Sequence, residues 1–134
     1  MCGIKSVKFN DNQAATSQPD RFVEIYIDIK KVIESWRLSV FSFEWLTNDG
    51  HIKSPEDLSY KDQQRRQNVM SLYNAGEAVM KPVLGIGVMD NVEVGSGREV
   101  LLCLAELGVE TMPVHIPKTN IKDFEKFIFM QEGE

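Results

Sequence analysis

The chain is poor in the residues that usually advertise a chemistry. Among 134 residues there are two cysteines and two histidines. Cys2 and Cys103 are too few for a disulfide framework, and neither stands in zinc-type spacing with His51 or His115. No zinc or other metal site is therefore read from the sequence, and a reducing cytoplasm is the expected setting. No apolar run approaches the length of a membrane span, and the N-terminus lacks the basic-then-apolar order of a secretion signal, so no membrane association is expected. Basic charge is in deficit as well: 15 Lys and Arg against 20 Asp and Glu leave a formal net charge of −5. Non-specific nucleic-acid binding needs an excess of Lys and Arg to neutralise phosphates, which argues against a generic nucleic-acid coat but leaves room for a local basic patch. Excess acid fits a protein that binds a partner's basic surface, and equally one that uses charge for solubility. There are no internal repeats and no low-complexity tract.

What is present is ordinary for a globular chain. Hydrophobic residues make up 43% and charged residues 26%, and the length suits one domain over residues 1–134 with a real core. Residues 10–20 are polar and low in large apolar groups, so residues 1–20 are read as a loop or flexible arm. Val23, Ile25, Ile27 and Ile29 then alternate with Glu24, Tyr26 and Asp28, the period of a half-buried strand. Residues 30–36 suit a short helical turn. Residues 39–46 cluster Val40, Phe41, Phe43, Trp45 and Leu46 and read as another strand, ended by Asn48-Asp49-Gly50. Trp36, Phe41, Phe43 and Trp45 suit either a stacking platform for bases or core packing, and packing is the favoured reading.

Ser54-Pro55-Glu56-Asp57 has the order of a helix start, with Ser as cap, Pro in the first turn and acids near the positive end. Ser59-Tyr60-Lys61-Asp62 offers a second cap, and Gly76 a terminator. On that helix Lys61, Arg65 and Arg66 form the compact basic cluster, either a nucleic-acid or phosphate patch or simply a solvated face. Near the end, Asn120 and Asp123 resemble a cap, followed by Ile121, Phe124, Phe127 and Ile128 at helical spacing. That apolar stripe packs on the domain or forms a homodimer seam. Residues 131–134 are expected to fray. Met1-Cys2-Gly3-Ile4 matches the start of class II glutamine amidotransferases, in which an N-terminal cysteine is the nucleophile. Their downstream motifs are missing, so an accidental match is preferred.

Residues 81–117 are the densest stretch in chemical information. Val83, Leu84, Ile86 and Val88 make a strand, Asp90-Asn91 a turn, and Val92-Glu93-Val94 a returning strand. Gly95-Ser96-Gly97-Arg98 opens a helix that is apolar nearly all round, including Cys103, and Gly108 stands where a left-handed cap belongs. Val114-His115-Ile116 leaves between two prolines as a third short strand, where a lone histidine among apolar residues reads as structural. A strand, glycine turn and helix start aim backbone N–H groups and a helix dipole at one place, which favours an anion. Arg98 in the first turn adds a fork for a phosphate.

This stretch resembles the N-terminal domain family of ParB partition proteins, which shares its fold with sulfiredoxin. The resemblance rests on Lys81-Pro82-Val83-Leu84, on Val92-Glu93-Val94-Gly95-Ser96-Gly97-Arg98, and on Leu107-Gly108-Val109-Glu110-Thr111-Met112-Pro113-Val114. It covers about the last third of the chain well and the earlier part in outline. It departs from the family at Val94, where an acid often stands, at Ser96, where a histidine or acid is usual, and at Glu99 and Val100, where a second basic residue is missing. A second register takes Gly97 as the family glycine and puts Val100 at the arginine position. The first keeps the Gly-x-Gly-Arg chemistry and is preferred.

The resemblance implies an α/β (α+β) domain with a small mixed sheet flanked by helices. It implies nucleotide or phosphate binding at Gly95, Ser96, Gly97 and Arg98, with a nucleoside triphosphate and Mg²⁺ as cofactors. It further implies NTPase, phosphotransfer or nuclease activity. No catalytic base stands out; Glu24, Asp28 and Glu93 are the available acids. The competing class is a non-catalytic interaction or inhibitor protein of phage or plasmid type that uses the same fold to bind a host or plasmid protein.

Overall fold

A computed structural model describes residues 7–128 of the chain. The expectations placed on Met1, Cys2, Gly3 and Ile4, and on residues 131–134, lie outside the described residues. The architecture is mixed α/β. Strands β2 (Phe22–Asp28), β4 (Val83–Ile86), β5 (Val92–Ser96) and β6 (Thr111–Pro117) form a four-stranded sheet in the order β2-β6-β4-β5. β6 runs antiparallel to β2 and parallel to β4, and β4 and β5 form an antiparallel hairpin, so the sheet is mixed. A second sheet of two strands pairs β1 (Phe9–Asn10) with β3 (Val79–Met80) in parallel.

Alternation in β2 sends Ile27 inward while Glu24 and Tyr26 stay exposed, as the period of two requires. β6 differs, because Met112 through Ile116 are all buried. A strand with neighbours on both edges and cover on both faces cannot show a polar side, which places β6 at the centre of the molecule. β2 turns directly into α2 (Ile29–Trp36), whose Ile29, Val32 and Trp36 fall on one buried face. Asp28 caps it, accepting from the Lys31 amide at 3.1 Å. α4 (Arg98–Glu106) buries Val100, Leu101, Leu102, Cys103 and Leu104 in succession, since it is covered by the sheet side, by α2 and by α3 (Tyr60–Ala75). Gly108 takes a left-handed backbone, φ +89°, beyond its end. No helix among the described residues is long and apolar enough to cross a membrane.

Four local expectations are corrected. Residues 39–46 are not a strand but a bend with one 3₁₀ turn, Ser42–Glu44. Its serines bond to the backbone instead of leaving it for a ladder: Ser42 Oγ donates to the Arg37 and Ser39 carbonyls, and Ser39 Oγ accepts from the Phe41 amide. Ser54 does not start the long helix. Pro55–Asp57 is a 3₁₀ turn without a side-chain cap, and α3 starts after Ser59, whose Oγ accepts from the Asp62 amide at 3.2 Å. The C-terminal apolar segment forms 3₁₀ turns, Lys118–Asn120 and Lys122–Phe127, and packs Phe124 and Phe127 onto the domain. Residues 10–20 are not simply loop: they hold the end of β1 and the short helix α1 (Gln13–Thr16), whose Ala15 is buried.

Candidate functional site

β5 ends in the glycine turn and α4 begins there. Gly97 is the residue before the helix, with φ +87°, and no side chain caps the helix start. A Cβ on Gly97 would stand 2.8 Å from Pro82 Cα, so the position is closed to side chains by its backbone angle and by contact. The start of α4 thus has no side-chain cap, and of its first-turn amides Val100 N–H donates to the Gly97 carbonyl at 3.0 Å. Ser96 and Gly95 are exposed at the end of β5. Gly95 and Ser96 are the last residues of β5, Gly97 makes the turn and Arg98 opens α4, so the strand-to-helix junction falls two residues later than the first glycine the sequence offers.

The surroundings of this turn are not legible in sequence order. On one side, Arg98 forms an ion pair with Glu44, and its guanidinium carbon lies 6.0 Å from the Phe41 ring. Both partners come from the bend at 39–46. Of the four aromatics singled out from the sequence, Trp36 and Trp45 are core, while Phe41 and Phe43 are 52% and 65% exposed.

On the other side lies a cluster of polar groups. Register alone sets out a row across the sheet, because Glu24 pairs with His115, His115 with Val83, and Val83 with Ser96. Onto this row comes the segment around Asn12. Its Nδ2 donates to Ser96 Oγ and to the Lys81 carbonyl, both at 3.1 Å, and its main-chain N–H donates to His115 Nε2 at 3.2 Å. Lys81 Nζ donates to Asp11 at 2.6 Å and to Glu24 at 2.7 Å.

These contacts shift the titrations in a consistent way. Burial works against the Lys81 charge, but hydrogen bonds to Asp11 and Glu24 outweigh it and hold the ammonium above its usual range. The hydrogen bond from Lys81, reinforced by its charge, holds the Asp11 carboxyl below the usual range. His115 is pushed down, first by burial and then by the Lys81 charge, and stays neutral.

The remaining sequence-predicted residues lie elsewhere or are engaged. Arg65 pairs with Asp62 and Arg66 with Glu106. Glu106 is at the far end of α4 from Gly97, roughly 13 Å along the helix, so Arg66 is engaged away from the turn. Among the named acids, Asp28 caps α2, and Glu93 accepts from Ser39 Oγ and Asn91 Nδ2. Glu24 alone of the three stands in the cluster beside the turn. Sequence reading missed Asp11, Asn12 and Lys81 as members of the site and treated His115 as structural. The one available signal was the outward position of Glu24 in an alternating strand. Among the described residues no group of three or more His, Cys, Asp or Glu is placed to hold a metal ion. The donors at the junction suit a phosphate: the Ser96 hydroxyl, the Arg98 guanidinium and the helix start without a side-chain cap. Compared with models of known protein families, with curated proteins and with solved structures, the chain matches none.

Proposed function

We propose that the turn at Gly95, Ser96, Gly97 and Arg98 binds the phosphate of a nucleotide, in a degenerate member of the ParB/sulfiredoxin-like fold. The observation that carries this reading is the start of α4: a left-handed glycine with no side-chain cap, flanked within four residues by a hydroxyl and a guanidinium. The order strand, turn, strand, glycine turn, helix, strand over residues 83–117 supports the fold assignment. Binding is favoured over turnover, because Glu24, the acid beside the turn, is already neutralised by Lys81. Mg²⁺ would arrive with a nucleoside triphosphate and offset its charge. Glu44 carries an oxyanion onto Arg98 in the absence of ligand, so a phosphate must displace it.

Calorimetry with ATP, CTP and GTP plus Mg²⁺ tests the reading. Arg98→Ala should weaken binding by about 10- to 100-fold, the loss expected for a charge-assisted hydrogen bond. Glu44→Gln should strengthen it. Absence of binding at millimolar ligand, or binding indifferent to Arg98, would overturn the assignment.

One observation favours the second reading, a non-catalytic interaction protein. Leu38, Val40, Phe41 and Phe43 are all exposed on the bend beside Arg98, a density of large apolar side chains that a solvent-facing loop does not need. A protein partner captured by the wild type, lost with Phe43→Asp and kept with Arg98→Ala would support interaction over nucleotide chemistry.

A further inference from the structure

One contact in the polar cluster depends on a proton. The Asn12 main-chain N–H donates to Nε2 of His115, both residues being buried. Only an unprotonated Nε2 can accept, so the ring carries its hydrogen on Nδ1 and is neutral. The same Asn12 holds its neighbourhood in place. Its side chain reaches the Lys81 carbonyl and Ser96 Oγ, and its Oδ1 accepts from the Ala14 amide to cap α1. The rest of the attachment is short. The Lys8 and Asn10 carbonyls accept from the Val79 and Lys81 amides, Asp11 pairs with Lys81, half-buried Phe9 packs against the core, and Ala15 is the buried apolar anchor of α1.

We propose that residues 8–17 are an arm latched onto the sheet by neutral His115, and that protonation of Nε2 releases the arm and frees the Ser96 hydroxyl from Asn12. A protonated Nε2 would present a hydrogen to the Asn12 N–H, setting two donors against each other and removing the bond. The charged groups facing the ring are Asp11 on the arm, Glu24 on β2 and Lys81 ahead of β4. The carboxylates favour an imidazolium. Lys81 opposes it, lies bonded to both carboxylates, and acts together with burial, so the docked ring resists the proton.

The sign follows from linkage. With the arm docked, the His115 pKa is held below 6.5; with the arm off, burial is relieved and the attraction of Asp11 is lost, and since burial is the largest effect the ring moves back toward that value. Acid therefore favours the open arm, starting below 6.5 and levelling off once pH falls below the docked value. Each unit by which docking depresses the pKa is worth about tenfold in the ratio of open to docked arm. With a two-residue strand and a four-residue helix, the arm can open without global unfolding.

Amide hydrogen exchange on the full chain tests this at about pH 7.5 and about pH 5, read as protection relative to an unstructured chain so that the intrinsic pH effect cancels. Protection at Asn12, Ala15 and Thr16 should fall by about tenfold per unit of pKa depression on acidification, while Leu104 in α4 holds its value. His115→Gln supplies a side-chain oxygen that can accept from Asn12 and does not titrate, so its arm should keep level protection at both pH values. Unchanged protection in the wild type would overturn the proposal. So would an equal acid loss in His115→Gln, which would assign the effect to Asp11 or Glu24. A third measurement needs no variant: if the His115 ring nitrogens of the wild type titrate while Asn12 stays protected, the latch is wrong.

Discussion

Gly97 carries two constraints where Gly76 carries one. Both have left-handed backbones, φ +87° and +72°, but a Cβ on Gly76 would meet nothing within 4 Å, whereas one on Gly97 would strike Pro82 Cα at 2.8 Å. Gly76→Ala should therefore cost about 1 kcal/mol, the strain of a left-handed alanine alone. Gly97→Ala adds backbone overpacking and should cost about 2–5 kcal/mol. Urea unfolding of the two variants gives the comparison, and equal losses would mean that Pro82 yields without cost. At this scale the sequence was readable for glycines and opaque for partners. A glycine before a helix declares its backbone, because few other residues adopt that angle. Nothing near Arg98 in the chain declares that Glu44, 54 residues away, will take its guanidinium.

At the scale of elements, the two serines ahead of α3 separate a real cap from an apparent one. Ser59 Oγ bonds the Asp62 amide, while Ser54 Oγ donates to the Asp57 carboxylate on an exposed turn. Ser59→Ala should destabilise the protein by about 1 kcal/mol, and Ser54→Ala by less than about 0.5 kcal/mol. Thermal or urea unfolding distinguishes the two, and a reversed order would restore Ser54 as the helix start. β2 was legible because its alternation records which face is buried, and α4 because an apolar run after a glycine turn records burial on most sides. The bend at 39–46 was not, because its aromatics divide between core and solvent, Trp45 inward and Phe43 outward, in no strand register. Serine bonds to nearby carbonyls decided that backbone, and such bonds leave no periodic trace.

For the molecule as a whole, Cys103 reports on the integrity of the core. It is fully buried in α4, and burial pushes its thiol up to about 12. In a Cys2→Ser chain, a thiol reagent at neutral pH should find Cys103 silent in the native protein and reactive once it unfolds. The sign of the pH effect is fixed by the same shift. The unfolded thiol ionises from its ordinary 9.0 and the folded one near 12, so stability is intact below 9.0 and falls as pH rises through that interval. The expected slope is about 1.4 kcal/mol per pH unit relative to Cys103→Ala. Rapid labelling under native conditions would mean that α4 opens without the rest of the fold.

By itself the sequence determined the local units: the alternating strand β2, the buried helix α4, the glycine turn with Arg98, and the left-handed ends at Gly76 and Gly108. Each depends on residues a few positions apart, whose spacing and backbone preferences act before the chain is assembled. Only the tertiary structure decided what the turn faces. Asp11, Asn12, Glu24, Lys81, Ser96 and His115 meet because strand register and the docked arm bring them together, over separations that reach 103 residues. A lysine ahead of a proline, or an asparagine in a polar stretch, carries no mark of burial in the chain. Its partners exist only once strand register sets His115 and Glu24 side by side and the segment around Asn12 docks on them.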